Sequence, residues 1–199
     1  MAAKARLVLK KFVESFIDCS KPLICAVNGP AIGIAVTTLG LCDRVFVSPS
    51  SNYRTPFAEL GQSPEGCSSF MFPKLMGEEI ANDVLWKGRK LSAEEAVSFG
   101  LAHELCPSDK LVETAVNYCE FIAQQPETAI ESQRFITREN LVDKLKQVNE
   151  EECAVLEKKW ISPECFTALA TFLESRNMHT QARILRIANA TGFLWGQPR

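Results

Sequence analysis

Residues 21–34 read KPLICAVNGPAIGI, and the fold class turns on them. Pro22 stops any helix arriving from the N-terminal side. The run 23–27 (LICAV) is apolar, short and bounded by Pro22 and Asn28-Gly29-Pro30, which reads as a buried strand closed by a turn. Residues 31–41 then read as a buried helix with Gly33 at its mouth. A strand that passes through a glycine turn into a helix leaves the first N–H groups of that helix without intrahelical partners. Such groups can hold an oxyanion or a phosphate. The plainer reading is tight strand–helix packing, which glycine also permits.

Working outward, residues 2–17 carry Leu7, Leu9, Phe12, Val13, Phe16 and Ile17 near a 3.6-residue period, the pattern of an amphipathic helix. Lys10 and Lys11 fall on its solvated face. On the other side, 44–47 (RVFV) and 52–55 read as strands, and 56–65 as a loop containing Gly61 and Pro64. Helices are expected over 67–75 and 79–87. Ser92-Ala93-Glu94-Glu95 has the form of a capping box, and Gly100 fits the C′ position of the helix it opens. A strand over 101–105 is followed by helices over 110–124, 127–137, 140–159 and 163–176. Ser162 is an N-cap and Pro163 an N1 residue for the last of these. Short strands preceding helices, with short connections, read as an α/β or mixed-layer fold. The predicted organisation is one domain over 1–176, with a strand-bearing core over 21–105 and a helical region over 110–176. A divergent tail over 177–199 holds no acidic residue.

Composition narrows the function. Of 199 residues, 46% are hydrophobic and 23% charged, which excludes disordered and low-complexity classes. The net charge of −2 supplies no field for nucleic acid or an anionic membrane surface. The longest apolar stretch, 30–42, is too short to span a bilayer and contains Thr37 and Thr38. Lys and Glu interrupt the apolar pattern of the first residues, unlike a secretory signal. Eight cysteines include no C-x-x-C pair and stand beside only two histidines, so no metal site is expected and the thiols read as reduced core filler. Ser63, Ser68 and Ser69 lack a nearby histidine, which argues against a serine nucleophile. Asp43 reads as a turn or cap residue, and His103 as structural.

Four segments together carry a resemblance: KPLICAVNGPAIGI (21–34), LCDRVFV (41–47), TPFAELGQSPEGCSSFMFPKLMG (55–77) and GRKLSAEEAVSFGLAHEL (88–105). From Lys21 to about Arg176 the chain resembles the crotonase (enoyl-CoA hydratase/isomerase) superfamily, and within it the peroxisomal-type Δ3,Δ2-enoyl-CoA isomerases. The resemblance implies a crotonase-like core of stacked ββα turns followed by C-terminal helices. It also implies an acyl-CoA thioester as substrate, no separate cofactor, and a trimer-based homo-oligomer. It implies a peroxisomal or mitochondrial location, although the printed C-terminus, Gly-Gln-Pro-Arg, is not a Ser-Lys-Leu-type address.

The resemblance also assigns residues. Gly33 and Ile34 match the oxyanion-hole turn, with the Ile34 N–H as donor. The two hydratase glutamates fall on Thr37 and Phe57, neither of which can act as a base, so hydration is disfavoured. The isomerase carboxylate falls on Glu65, in Ser63-Pro64-Glu65-Gly66. Phe57 and Phe70 are expected to line the acyl pocket, with Phe72 nearby. By spacing alone, Glu65 is a solvated loop carboxylate; the family match makes it the catalytic base. The family's Ser-Gly-Asn-Asp-type segment, which supplies the second oxyanion donor, has no counterpart in these residues. The expectation is therefore an N-terminally truncated core with low activity. The alternative is a catalytically silent crotonase-like binding or assembly protein. Chromodomain-linked relatives share the Gly-Gln-Ser-Pro context but carry Asp where Glu65 stands, which favours the isomerase.

Overall fold

The computed structural model describes residues 2–191. Helix α1 (Ala2–Ile17) leads into β1 (Ile24–Val27), β2 (Pro30–Ile32) and the single turn α2 (Ile34–Thr37), which tightens into a 3-10 turn (Thr38–Leu41). The chain then repeats the move with β3 (Arg44–Val47), β4 (Asn52–Arg54) and α3 (Ser68–Lys87). Next come β5 (Leu91–Ser92), α4 (Ala93–Ser98) and β6 (Glu104–Leu105). Four helices close it: α5 (Leu111–Ala123), α6 (Glu127–Trp160), α7 (Pro163–Ser175) and α8 (His179–Ala190).

Each ββα turn gives one strand to each of two small sheets. The first has the order β1-β3-β6 and the second β2-β4-β5. β1 runs parallel to β3 with Ile24 opposite Arg44, and β2 runs parallel to β4 with Pro30 opposite Asn52. This is the α/β, ββα-stacked class expected from the sequence. Val36, Val45, Val47, Tyr53, Phe72 and Leu91 fill the main core between the sheets and the helices. A second cluster forms where α1 lies on α6, from Val13, Ile17, Leu41, Cys67, Leu145 and Val148.

Several elements differ from the sequence reading. The helix expected over 31–41 loses its first turn to strand β2. The cause is Gly33, at φ 60° and ψ −124°, a conformation that breaks the helix and lets its N–H donate to the Arg54 carbonyl at 2.9 Å. The strand expected over 101–105 shrinks to Glu104–Leu105, because Ala102 donates instead to the Ala96 carbonyl at 2.9 Å. The helices expected over 127–137 and 140–159 are one helix, since no Gly or Pro interrupts the backbone ladder between them. The two helices expected over 67–75 and 79–87 meet at Gly77, which is non-helical at φ 76°. Lys10 is not merely solvated: it pairs with Glu150 of α6 at 2.7 Å. The divergent tail contains α8, which rests on α7 through Arg186 and Glu174 at 2.9 Å; residues 192–199 lie outside the described residues. Among the described residues, no helix is long and apolar enough to cross a membrane.

The capping signals read from sequence are present. Ser92 accepts from the Glu95 N–H at 3.2 Å while the Glu95 carboxylate accepts from the Ser92 N–H at 3.0 Å. Ser162 accepts from the Cys165 N–H at 3.2 Å, with Pro163 at the helix start.

Candidate active site

The site forms where the two ββα turns meet. The first turn presents α2, whose leading residue Ile34 has an N–H with no intrahelical acceptor. The second presents the loop after β4, which ends in Glu65-Gly66-Cys67 as α3 begins. Gly66 brings the two into contact. It sits at φ +68°, and a Cβ there would lie 2.3 Å from Thr37 Oγ1 and 3.4 Å from Ile34 Cδ1. Only glycine allows the loop to close so tightly on α2.

Glu65 is therefore no solvated loop carboxylate. It is 5% exposed. Thr37 Oγ1 donates to Glu65 Oε1 at 3.0 Å, and Glu65 Oε2 is buried with no partner among the described residues. Burial pushes the Glu65 carboxyl up to about 7; the nearby Glu152 charge pushes the same way, and the Thr37 hydroxyl pulls against both. A carboxyl poised near neutrality with one unpartnered oxygen can take up and give back a proton. Thr37, at a position where the resemblance places a hydratase carboxylate, instead supports Glu65.

The structure brings Gly33, Ile34, Thr37 and Glu65 together. The two expected pocket residues part company. Phe70 is half-buried at the margin of the second cluster, against which Ile34 also packs, whereas Phe57 is 4% exposed within the main core, where Phe72 is fully buried. His103 is structural: its Nδ1 accepts from the Val45 N–H at 3.0 Å. Asp43 does more than cap a turn, since it accepts from the Leu23 N–H at 2.7 Å and pairs with Arg138 of α6 at 2.8 Å. Among the described residues, no group of three or more His, Cys, Asp or Glu could hold a metal ion.

The family model for enoyl-CoA hydratase/isomerase matches residues 2–183. The chain belongs to the enoyl-CoA hydratase/isomerase family. It is 44% identical over 172 residues to enoyl-CoA delta isomerase 2 of Rattus norvegicus, covering 86% of this chain and 44% of that protein. It is 40% identical over 169 residues to the chromodomain Y-like protein of Mus musculus, covering 84% of this chain and 28% of that one. Among solved structures, it is similar to an enoyl-CoA hydratase/isomerase from Pseudoalteromonas atlantica, with a TM-score of 0.81 and 32% identity over 83% of this chain and 66% of the other. The chain thus spans less than half the length of these two curated relatives. The crotonase fold expected from the sequence is the fold of this family.

One residue of the site escaped sequence reasoning. Glu152 of α6 is 7% exposed, and both its oxygens are engaged at the start of α3. A signal existed. Leu145, Val148, Glu152 and Leu156 share one helical stripe, and all are buried. A carboxylate on an otherwise apolar stripe needs partners, and here they lie far away in sequence.

Proposed function

We propose that the chain is an enoyl-CoA isomerase in which Glu65 moves one proton. Its substrate on this reading is an acyl-CoA thioester with a double bond at carbon 3, which leaves with the bond at carbon 2. The observation that carries the reading is the Glu65 carboxyl: buried, poised at about 7, with Oε2 unpartnered beside the helix that Ile34 opens.

The chemistry follows from that arrangement. Glu65 takes a proton from carbon 2, and the electron pair shifts toward the thioester oxygen. The Ile34 N–H donates to that oxygen as its charge develops; losing such a donor typically costs about 3–4 kcal/mol of transition-state stabilisation. Protonated Glu65 then returns the proton to carbon 4, and the double bond settles between carbons 2 and 3. One group serves both transfers, so its carboxyl must be neither a strong acid nor a weak one near neutral pH. Water addition would call for a second carboxylate, and Thr37 and Phe57 supply none. Phe70, which packs against the same cluster as Ile34, is the acyl-facing residue this reading favours, ahead of Phe57 in the main core.

A second reading is a binding or assembly module without turnover: the chain is also 40% identical to the chromodomain Y-like protein, whose name states no isomerase activity. One assay separates them. The protein and its Glu65→Gln variant are incubated with a 3-enoyl-CoA and with a 2-enoyl-CoA. The expected result is slow double-bond migration in the parent, lost by about a thousand-fold in the variant with acyl-CoA binding retained. Undiminished isomerisation in Glu65→Gln, or hydration by the parent, refutes the assignment. Binding with no migration in the parent supports the second reading.

A further inference from the structure

Glu152 lies outside the chemistry proposed for Glu65, yet the site is built against it. Its carboxylate takes three hydrogen bonds at the start of α3. The Cys67 N–H donates to Oε2 at 2.7 Å, and the Ser69 N–H and hydroxyl donate to Oε1 at 2.9 and 2.5 Å. These contacts span 85 and 83 residues of sequence. They fasten a turn that would otherwise be unfavourable. Gly66 and Cys67 both have positive φ, at 68° and 61°, and a non-glycine residue held there is strained. Glu65 immediately precedes that turn, and Ser68 Oγ closes it by donating to the Glu65 carbonyl at 2.7 Å.

We propose that Glu152 is the positioning residue of this site: it holds the turn over 65–69 in place and keeps a fixed negative charge beside Glu65. The inference rests on the reading of Glu65 as the proton carrier. Its ionic part follows from the donor count. Glu152 receives three donors, which favour its charged form, against the single Thr37 hydroxyl on Glu65. Burial raises both carboxyls, and the donors to Glu152 counter that rise. Glu152 therefore ionises first, and its charge then opposes ionisation of Glu65.

Other groups facing the pair do not supply that charge. Just before α3 the Cys67 thiol is raised by burial, and from α6 the Cys153 thiol is raised to about 11, so both are neutral here. From α2 comes only the Thr37 hydroxyl. On α1, Arg6 is paired with Glu150 and Glu157 of α6, and Lys10 with Glu150.

The experiment is a carboxyl titration by 13C NMR without substrate, on the protein and on Glu152→Gln, Glu152→Ala and Glu65→Gln. The glutamine keeps the shape and drops the charge. In the parent, Glu152 is expected to titrate below Glu65, and Glu65 near 7. In Glu152→Gln the Glu65 midpoint should fall by about one pH unit. In Glu152→Ala the Cys67 and Ser69 amides should also exchange at least tenfold faster. A Glu65 midpoint unmoved in Glu152→Gln, or a Glu152 that titrates above Glu65 in the parent, overturns the proposal. The parent measurement decides even where a variant does not fold. Because no turnover is read, the midpoint shift can appear in a protein that isomerises nothing. That result would sink the isomerase reading and leave the role of Glu152 standing.

Discussion

On the proposed reading Glu65 carries the proton, and its burial also weakens the fold at high pH. Its folded value of about 7 lies above the ordinary carboxylate value, so the native state binds the proton more tightly than the unfolded chain does. Stability from this group is full below the unfolded value, declines as pH rises, and is lost once pH passes about 7. Glu65→Gln removes the penalty of burying the charge. The variant should gain roughly 2–4 kcal/mol near pH 8.5 and almost nothing near pH 4, measured by urea unfolding at both values. An equal effect at the two pH values would contradict a buried, neutral-leaning carboxyl. The residue itself was legible in Ser63-Pro64-Glu65-Gly66. Its burial was not, because the contact that buries it is with Thr37, 28 residues away.

At the scale of elements, the capping signals were legible because their partners are local. The capping box of α4 joins Ser92 to Glu95 three residues on, and Ala93 and Ala96 of that helix are buried in the main core. Ser92→Ala removes one orphan donor's partner at the helix start and should lower stability by about 1 kcal/mol, read as a shift in the urea midpoint with an unchanged slope. No shift at all would mean that packing alone holds α4. Signals failed where two structures compete for one apolar run. Ala31 and Ile32 fit a helix or a strand equally well by composition. The ladder to Tyr53 and Arg54, and the turn at Gly33, decide for the strand.

For the whole molecule, the two sheets share an open side. Among the described residues, β1 and β2 each have a strand neighbour on one side only, and two residues of chain separate them. Ile32 is 57% exposed on that side, and α5 and α6 expose Val112, Phe121, Phe135 and Ile136. Unpaired strand edges and exposed apolar side chains favour association. The protein should therefore sediment as a species larger than its 22.1 kDa monomer at micromolar concentration. A trimer-based homo-oligomer is the form we propose. A monodisperse monomer with a sharp unfolding transition would count against it.

What the amino-acid sequence determined by itself was the fold class, the caps, and the motifs that mark Gly33, Ile34 and Glu65 as candidates. These depend on neighbours within a few residues or on motifs read along the chain. Only the tertiary structure decided that Glu65 is buried, that Thr37 donates to it, that Phe57 belongs to the core, and that Glu152 fastens the turn beneath it. Each of those outcomes is a contact between ββα turns or between α3 and α6. Which side chains meet there is set by sheet register and by how closely Gly66 lets two backbones approach, and apart from the buried stripe that carries Glu152 neither leaves a periodic mark on the residues involved.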